Sequence, residues 1–573
     1  MDSALRRRLI AVAAGRSNAD LVIRNAHVVD VFSGTVKKAD VAVVDGYIAG
    51  VGSYSGTETV DANENYLIPG LIDSHVHIES SLVDPASFAN LVVPHGTTTV
   101  IADPHEICNV CGLDALDYML EASEALPLDV FFMIPSCVPA TPFEHAGAIL
   151  DAPSLKQRID HRRILGLGEM MDMVGTIAAE ERILEKLAVA EKAGKLIDGH
   201  APGVEGSDLD AYVAAGIHTD HECATPTELQ ERISRGMYVL LREGSACQDL
   251  QNLLPGVTAE NAHMCLFCTD DRQPKSILES GHIDNHLRIA VASGLDPILA
   301  IRMATLNAAQ CFRLHDRGAI APGLRADMVL VDNLSDFTVQ AVFTQGERYQ
   351  EPEDAIEVPV SPSVSGRVDI GSFSEDSLVM KLESSLVRVI DVVPGSVVTN
   401  AGQAHVTVDS QGVYQNDLNS DLVKLAVVER HNGTGNVGLA LLRGYGLTEG
   451  AIATTIAHDS HNIIVAGDND ADMALAVTRL SELGGGIIMV HNNEVLDLLP
   501  LPIAGLMTNK GGTYVAEKFQ VMHDIAIHRL KVNRTLDPFM TLSFMALPVI
   551  PHLKVTDMGL FDVDAFSFVS LEV

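Results

Sequence analysis

The sequence predicts an α/β protein built around a (β/α)8 barrel. A small β-sandwich, assembled from the segments on both sides of the barrel, flanks it, and a C-terminal α+β domain follows. Three observations predict this. Eight short apolar runs recur between residues 71 and 269 with helical patterns among them, the count and size of such a barrel. Alternating β-type segments stand on either side of that repeat, at 20–67 and 318–350. A Pro- and Ser-containing stretch, 351–366, then reads as a linker ahead of residues 367–573, which carry strand and helix patterns of their own.

Composition narrows the class. A chain of 573 residues, 47% apolar and with 45 glycines, suits a turn-rich α/β protein of several domains. Its formal charge of −37 repels nucleic-acid backbones and anionic membranes, so neither is expected as a partner. No apolar run reaches bilayer length. Arg6-Arg-Arg8 precedes an apolar segment, Leu9 to Ala14, that is too short for a secretory signal and lacks a cleavage pattern. Residues 1–19 therefore read as an N-terminal helix or extension, and a cytoplasmic location is expected. Eight cysteines include two C-x-x-C pairs, Cys108/Cys111 and Cys265/Cys268. The second pair lies in a strand-like run, Met264-Cys-Leu-Phe-Cys268, where positions three apart face opposite ways and are badly placed to share a metal. The cysteines read as reduced, small core residues.

Taken in order, residues 20–67 alternate in the β manner, with turns at Ser33-Gly34 and Asp45-Gly46. The barrel spans 68–317, with strands expected at 71–77, 97–102, 129–134, 164–168, 195–199, 216–220, 236–241 and 262–269, and a helical pattern over residues 176–193. The block at 318–350 is expected to pair with 20–67. In the last unit, strands are expected at 386–391 and 422–429, and a helix at 472–483 that stops at Gly484-Gly-Gly486.

The barrel reading gives the polar residues a place, because functional groups stand at the carboxyl ends of barrel strands. His75-Val-His77 ends the first strand, where a period of two puts both imidazoles on one face, able to hold one divalent cation. Alone, His-x-His is more often a solvent-facing pair. Glu169, His200, His221 and Asp270 end four other strands, however, and complete a set of four imidazoles and two carboxylates at one barrel mouth. Uncompensated carboxylates there are costly, and two divalent cations neutralise them. The N/O set suits zinc, manganese or iron(II) without discriminating among them.

These ligands, bracketed by Leu67-Ile-Pro-Gly70 and Gly323-Leu-Arg-Ala-Asp327, resemble the amidohydrolase superfamily. Further stretches resemble its adenine deaminase family: His75-Val-His-Ile-Glu-Ser-Ser81, Ala102-Asp-Pro-His-Glu-Ile107, Asp198-Gly-His-Ala-Pro-Gly203, Arg242-Glu-Gly-Ser-Ala246 and Cys268-Thr-Asp-Asp-Arg272. In the tail they are Ala457-His-Asp-Ser-His-Asn462 and Leu501-Pro-Ile-Ala-Gly-Leu-Met507. The likeness runs from about residue 20 to the end of the chain.

The resemblance implies hydrolysis of adenine to hypoxanthine and ammonia, a step of purine salvage, by a hydroxide bridging two divalent metal ions per chain. It implies one ion on His75, His77 and Asp270, the other on His200 and His221, and Glu169 between them. Manganese is the first expectation, with iron(II) or zinc open. Asp270 is expected to shuttle the proton, with Glu169 as the second catalytic carboxylate. Mononuclear purine deaminases place a Glu shortly after the His of strand five to serve purine N1. Ala201-Pro-Gly203 follows His200 here, leaving Glu79, His105, Glu106 and Glu222 as candidates.

Asp103, Arg242, Ser245 and Asp271 join those four as candidate substrate contacts, against plainer roles in ordering loops or pairing carboxylates. His431, His458, Asp459 and His461 are open to two readings, as residues lining a site or a metal position and, the favoured one, as a structural hydrogen-bond cluster at a domain contact. The alternative function is a binuclear amidohydrolase acting on a cyclic amide or N-acyl substrate. Its relatives usually carry a carboxylated lysine where Glu169 stands, and cyclic amidases lack the tail domain. A scaffold that has lost catalysis would show gaps in the ligand set, and none is visible. Beyond adenine, the expected partner is a second copy of the chain, in a dimer or larger assembly.

Overall fold

The computed structural model describes residues 1–352, 360–417 and 420–573; part of the expected linker, 353–359, lies outside the described residues. The chain opens with α1 (Ser3–Ala13), capped by Asp2, whose side chain accepts the Leu5 amide at 2.8 Å. α1 lays Leu9 and Val12 against Val22, Ala42 and Val44 of the first strands. Those strands are β1 (Ala19–Asp30), β2 (Thr35–Val44), β3 (Tyr47–Gly52), β4 (Gly56–Asp61) and β5 (Tyr66–Pro69).

The barrel strands are β6 (Leu71–Val76), β7 (Thr97–Ala102), β8 (Asp129–Ile134), β9 (Ile164–Met170), β10 (Leu196–Gly199), β11 (Thr219–Asp220), β12 (Tyr238–Arg242) and β13 (Cys265–Cys268). β6 to β10 pair in sequence and in parallel, as do β11 to β13. The His218 amide, donating to the Ile197 carbonyl at 3.0 Å, bridges β10 to β11. The circle closes where the Asp270 amide donates to the His75 carbonyl at 2.9 Å and the His77 amide to the Asp270 carbonyl at 3.2 Å. Main-chain bonds of three expected metal ligands thus seal the barrel.

Both faces of these strands are covered, which is why they read as unbroken apolar runs. Ile72, Ile101, Met133, Leu240 and Leu266 fill the interior over Phe312, while Leu71, Val100 and Ala102 point outward. Cys265 joins the outer layer and Cys268 the inner one, so the strand does hold them on opposite faces. Two strands are shorter than their sequence patterns. Gly216, at φ 92°, delays β11, and a 3-10 turn, Ala262–Met264, precedes β13. The helical pattern over 176–193 is likewise broken at Ala179 (φ 54°) into Met173–Ile177 and Glu181–Lys192.

After the barrel come β14 (Met328–Val331), β15 (Val339–Thr344) and β16 (Glu347–Arg348). β14 pairs antiparallel with β5, giving the order β16-β15-β14-β5-β1-β2-β3, with β4 beside β1. β1 pairs with β4 through its first half and β5 through its second, because its register slips between Ile23 and Ala26, where Asn25 stands at φ 56°. The layers of the sandwich are therefore one continuous sheet bent round a core of Ile23, Val28, Leu67, Met328 and Phe343.

The C-terminal unit centres on an eight-stranded sheet. A helix, Asp470–Leu483, covers one face with Met473, Ala476, Val477 and Leu480, and ends at Gly484 in the left-handed conformation (φ 76°). The opposite face adds Leu425, Ile452, Ile464 and Met489 to the apolar core that includes the outer layer of the barrel. Backbone bonds between Asp84 and Thr508 (3.0 Å) and between Thr508 and Leu82 (2.9 Å) stitch the two units, as does His145 to Asp557 (2.6 Å).

Arg430 is fully buried and makes no ion pair among the described residues. Its guanidinium donates to the carbonyls of His461, Arg367 (3.1 Å) and Ala504 (3.0 Å). Arg430→Met would leave two buried carbonyls and a part-buried one without this donor. The expected cost is about 3 kcal/mol or more, seen as a lower thermal transition of the metal-loaded protein. An unchanged transition would mean that water replaces the guanidinium.

Candidate metal centre and substrate cavity

Six side chains converge above the C-terminal ends of the barrel strands. The His75 Nδ1–H donates to Asp198 at 3.1 Å and the His77 Nδ1–H to the Asp103 carbonyl at 2.9 Å. Both Nδ1 protons are thereby committed, so each Nε2 carries a bare lone pair. The two Nε2 atoms stand 3.1 Å apart, and Asp270 Oδ1 is 3.0 Å from that of His77. Such an array of lone pairs repels itself unless a cation sits among them, so these residues fit a divalent ion.

Glu169 faces two ways. Its Oε1 lies 3.4 Å from His77 Nε2; its Oε2 lies 2.8 Å from His200 Nδ1 and 3.3 Å from His221 Nε2. Burial opposes its ionisation, but hydrogen bonds from His200 and His221 outweigh it and hold the carboxyl well below the usual range. Asp270 stands at φ 58°, a left-handed conformation unusual for an aspartate, which turns its side chain into the mouth. Burial opposes its ionisation too, and the positive surroundings, Arg242 among them, hold the carboxyl well below the usual range.

A cavity of about 320 Å³ opens beside these ligands, large enough for a small heterocycle. Its floor is His77, Glu169, His200, His221 and Asp270 with His105, Glu106, Glu222 and Arg242; the C-terminal unit adds His458 and Asp459 at the wall and a roof of Val397, Val398, Phe544, Leu547, Val549, Ile550 and Pro551. The roof is apolar and the floor charged, as suits a flat aromatic molecule attacked from one face.

The chain matches the amidohydrolase family over residues 66–349 and the adenine deaminase C-terminal domain over residues 396–567. It is 54% identical to adenine deaminase 2 of Desulfotalea psychrophila, over 99% of both chains. Against the adenine deaminase of Nitratidesulfovibrio vulgaris the identity is 54%, over 99% of this chain and 98% of the other. The chain belongs to the adenine deaminase family. Adenine deaminase 2 of Carboxydothermus hydrogenoformans, 48% identical over 99% of each chain, extends the relationship. The amidohydrolase match implies divalent metal ions, in keeping with the His/Asp/Glu groups just described.

In this member of the adenine deaminase family the remaining sequence candidates divide. His105, Glu106, Glu222, Arg242 and Asp271 line the cavity. Arg242 binds Glu222, Asp249 (3.0 Å) and Asp270 (2.9 Å), so it acts as a clamp on carboxylates. Glu79, Asp103 and Ser245 do not line the main cavity. Asp103 accepts the Glu169 amide at 2.9 Å and fills the space against Gly168, where a Cβ would meet its Oδ2 at 2.1 Å. Ser245 accepts the Gln273 amide at 2.9 Å, and Glu79 the Ile107 amide at 3.1 Å. Glu79 and Ser245 border a second, smaller and mostly apolar cavity.

In the tail, His431 donates to the Ser460 carbonyl at 2.7 Å, away from the mouth. His458 and His461 bond Glu106 across the domain contact, and His458 and Asp459 also line the main cavity. Sequence reading missed the apolar roof and the Asp198 partner of His75. Asp198 had a signal, since a carboxylate two residues before a ligand on the same strand points the same way.

Proposed function

We propose that the chain hydrolyses adenine to hypoxanthine and ammonia, as a metal-dependent aminohydrolase acting on a C–N bond of a cyclic amidine. The observation that carries this reading is the two-sided Glu169 carboxylate, one oxygen toward His77 and the other toward His200 and His221, in a member of the adenine deaminase family. His75, His77 and Asp270 would hold one ion and His200 and His221 the other, with Glu169 shared. When bound, divalent ions would supply a water whose pKa falls from about 15.7 towards 7, and so hydroxide at neutral pH. Manganese is proposed first, while the N/O set equally suits iron(II) or zinc.

The chain's own residues do the rest. Asp270 Oδ2 is anchored by Arg242 at 2.9 Å while Oδ1 stays among the ligands. From there it takes the proton of the attacking water and delivers it to the exocyclic nitrogen, which leaves as ammonia. The roof excludes bulk water and holds the purine flat over the floor. The reading extends to a cytoplasmic enzyme of purine salvage, working as a dimer or larger homo-oligomer. Its negative charge supports the absence of nucleic-acid and membrane partners.

Stripping the protein with chelator is expected to abolish ammonia release from adenine. Titration with Mn²⁺ is expected to restore it, saturating near two ions per chain. Full loading with no adenine turnover would overturn the substrate assignment, and turnover of a hydantoin or an N-acyl amino acid would replace it with the amidase reading.

A further inference from the structure

Glu106, on the helix His105–Cys111 after β7, is buried where His458 and His461 of the C-terminal unit close on it. The spacing of the three matches a metal-binding group. Their protons argue otherwise. The Ala457 amide donates to His461 Nδ1 at 3.2 Å, so the single ring proton of His461 sits on Nε2 and is donated to Glu106. His458 Nδ1, 2.7 Å from Glu106 Oε1, is the second donor. A trio with two committed N–H donors has no set of lone pairs to give a cation.

It does have an unbalanced charge. Among the described residues no lysine or arginine pairs with Glu106; its ionic partners are His105, His458 and His461. A buried carboxylate needs a positive partner. His461 cannot take a second proton against the Ala457 amide, whereas His458 can. Burial pulls the His458 pKa down, but Glu106 overrides it and lifts it to about 9.

The placement of His458 is equally specific. Its ring stacks on Phe544 with centroids 4.5 Å apart and planes at 23°. Its Nε2 has no hydrogen-bond partner among the described residues, and its ring forms part of the cavity wall. The side chain is 12% exposed, against 1% for His461 behind it. One N–H without a protein partner is left over on a ring that lines both the cavity proposed to hold a purine and the smaller one beside it.

We propose that His458, carried to the barrel mouth by the C-terminal domain, contacts the substrate by donating its Nε2–H to a ring nitrogen of the bound purine, with Glu106 and His461 as its positioning residues. This rests on the deaminase reading of the same cavity. Attack at C6 drives negative charge onto the ring nitrogens, so a cationic donor at one of them binds the transition state more tightly than adenine itself.

The test pairs a side-chain change with single-atom changes in the ligand. Metal-loaded wild type and His458→Phe are compared on adenine and its 1-deaza, 3-deaza and 7-deaza analogues, as substrates or, where turnover is absent, as competitive inhibitors. Phe keeps the stack on Phe544 and removes the donor. One analogue is expected to lose about 10²-fold or more relative to adenine in the wild type, a loss that disappears in the variant. Glu106→Gln is expected to weaken the same discrimination in part. Equal losses on adenine and all analogues, with two metals retained, would make His458 merely structural and overturn the proposal.

Should the Phe variant fail to fold, His458→Asn, which keeps a donor near Nδ1 and loses Nε2, takes its place under the same criteria. If wild type releases no ammonia from adenine, the reaction assignment fails by itself, and the analogue inhibition constants still judge His458.

Discussion

Asp270→Asn is expected to lower kcat for adenine by about 10³-fold while leaving two metal ions bound, a loss of about 4 kcal/mol in transition-state stabilisation. The substitution is nearly isosteric. The left-handed backbone at position 270 and the two main-chain bonds to β6 do not depend on the side chain, so the barrel seal survives. The single amide oxygen keeps the place of Oδ1 among the ligands, and the amide NH₂ takes the place of Oδ2, giving up the Arg242 contact. What vanishes is a group able to take a proton and give it back. Ammonia release alongside metal analysis is the check, and activity within tenfold of wild type at full loading would remove Asp270 from the proton path.

Glu169→Gln is expected to do more damage by a different route. Among the described residues, Glu169 is the one carboxylate that reaches His77 on one side and His200 and His221 on the other. A glutamine keeps one oxygen and turns an N–H₂ toward the other set, where a donor meets the ion instead of a lone pair. Metal content is expected to fall from two ions to one or fewer. Activity should drop by on the order of 10³-fold or more, without rescue by excess Mn²⁺. A variant with two ions and normal turnover would place the shared ligand elsewhere.

Much of this architecture was legible in the chain because barrel strands are covered on both faces and announce themselves as short apolar runs. Once β6 was placed, His75 and His77 had to share a face, and the ends of β9, β10, β11 and β13 offered the other ligands in turn. Of the tail's polar cluster, His458 and His461 do reach Glu106 across the domain contact, while His458 and Asp459 also line the cavity, the reading that sequence favoured less. What sequence did not reveal is what depends on contacts far along the chain. Phe544 and Ile550 roof a cavity whose floor begins with His77, and nothing in an apolar side chain marks it as facing a ligand rather than a core. Arg242 looked equally suited to a purine edge or to a carboxylate, and only the positions of Glu222, Asp249 and Asp270 decide it. Asp103, Glu79 and Ser245 lie in the right motifs but turn toward backbone amides.

The division of the cavity between a charged floor and an apolar roof has an evolutionary consequence. Two floor residues, His77 and Asp270, also close the barrel through their own backbones, so drift there threatens chemistry and folding together. The roof segments, Val397–Val398 and Leu547–Pro551, supply no expected metal ligand and no bond of the barrel seal. A lineage can therefore change which nitrogen heterocycles it consumes by rewriting the roof while inheriting the reactive floor intact.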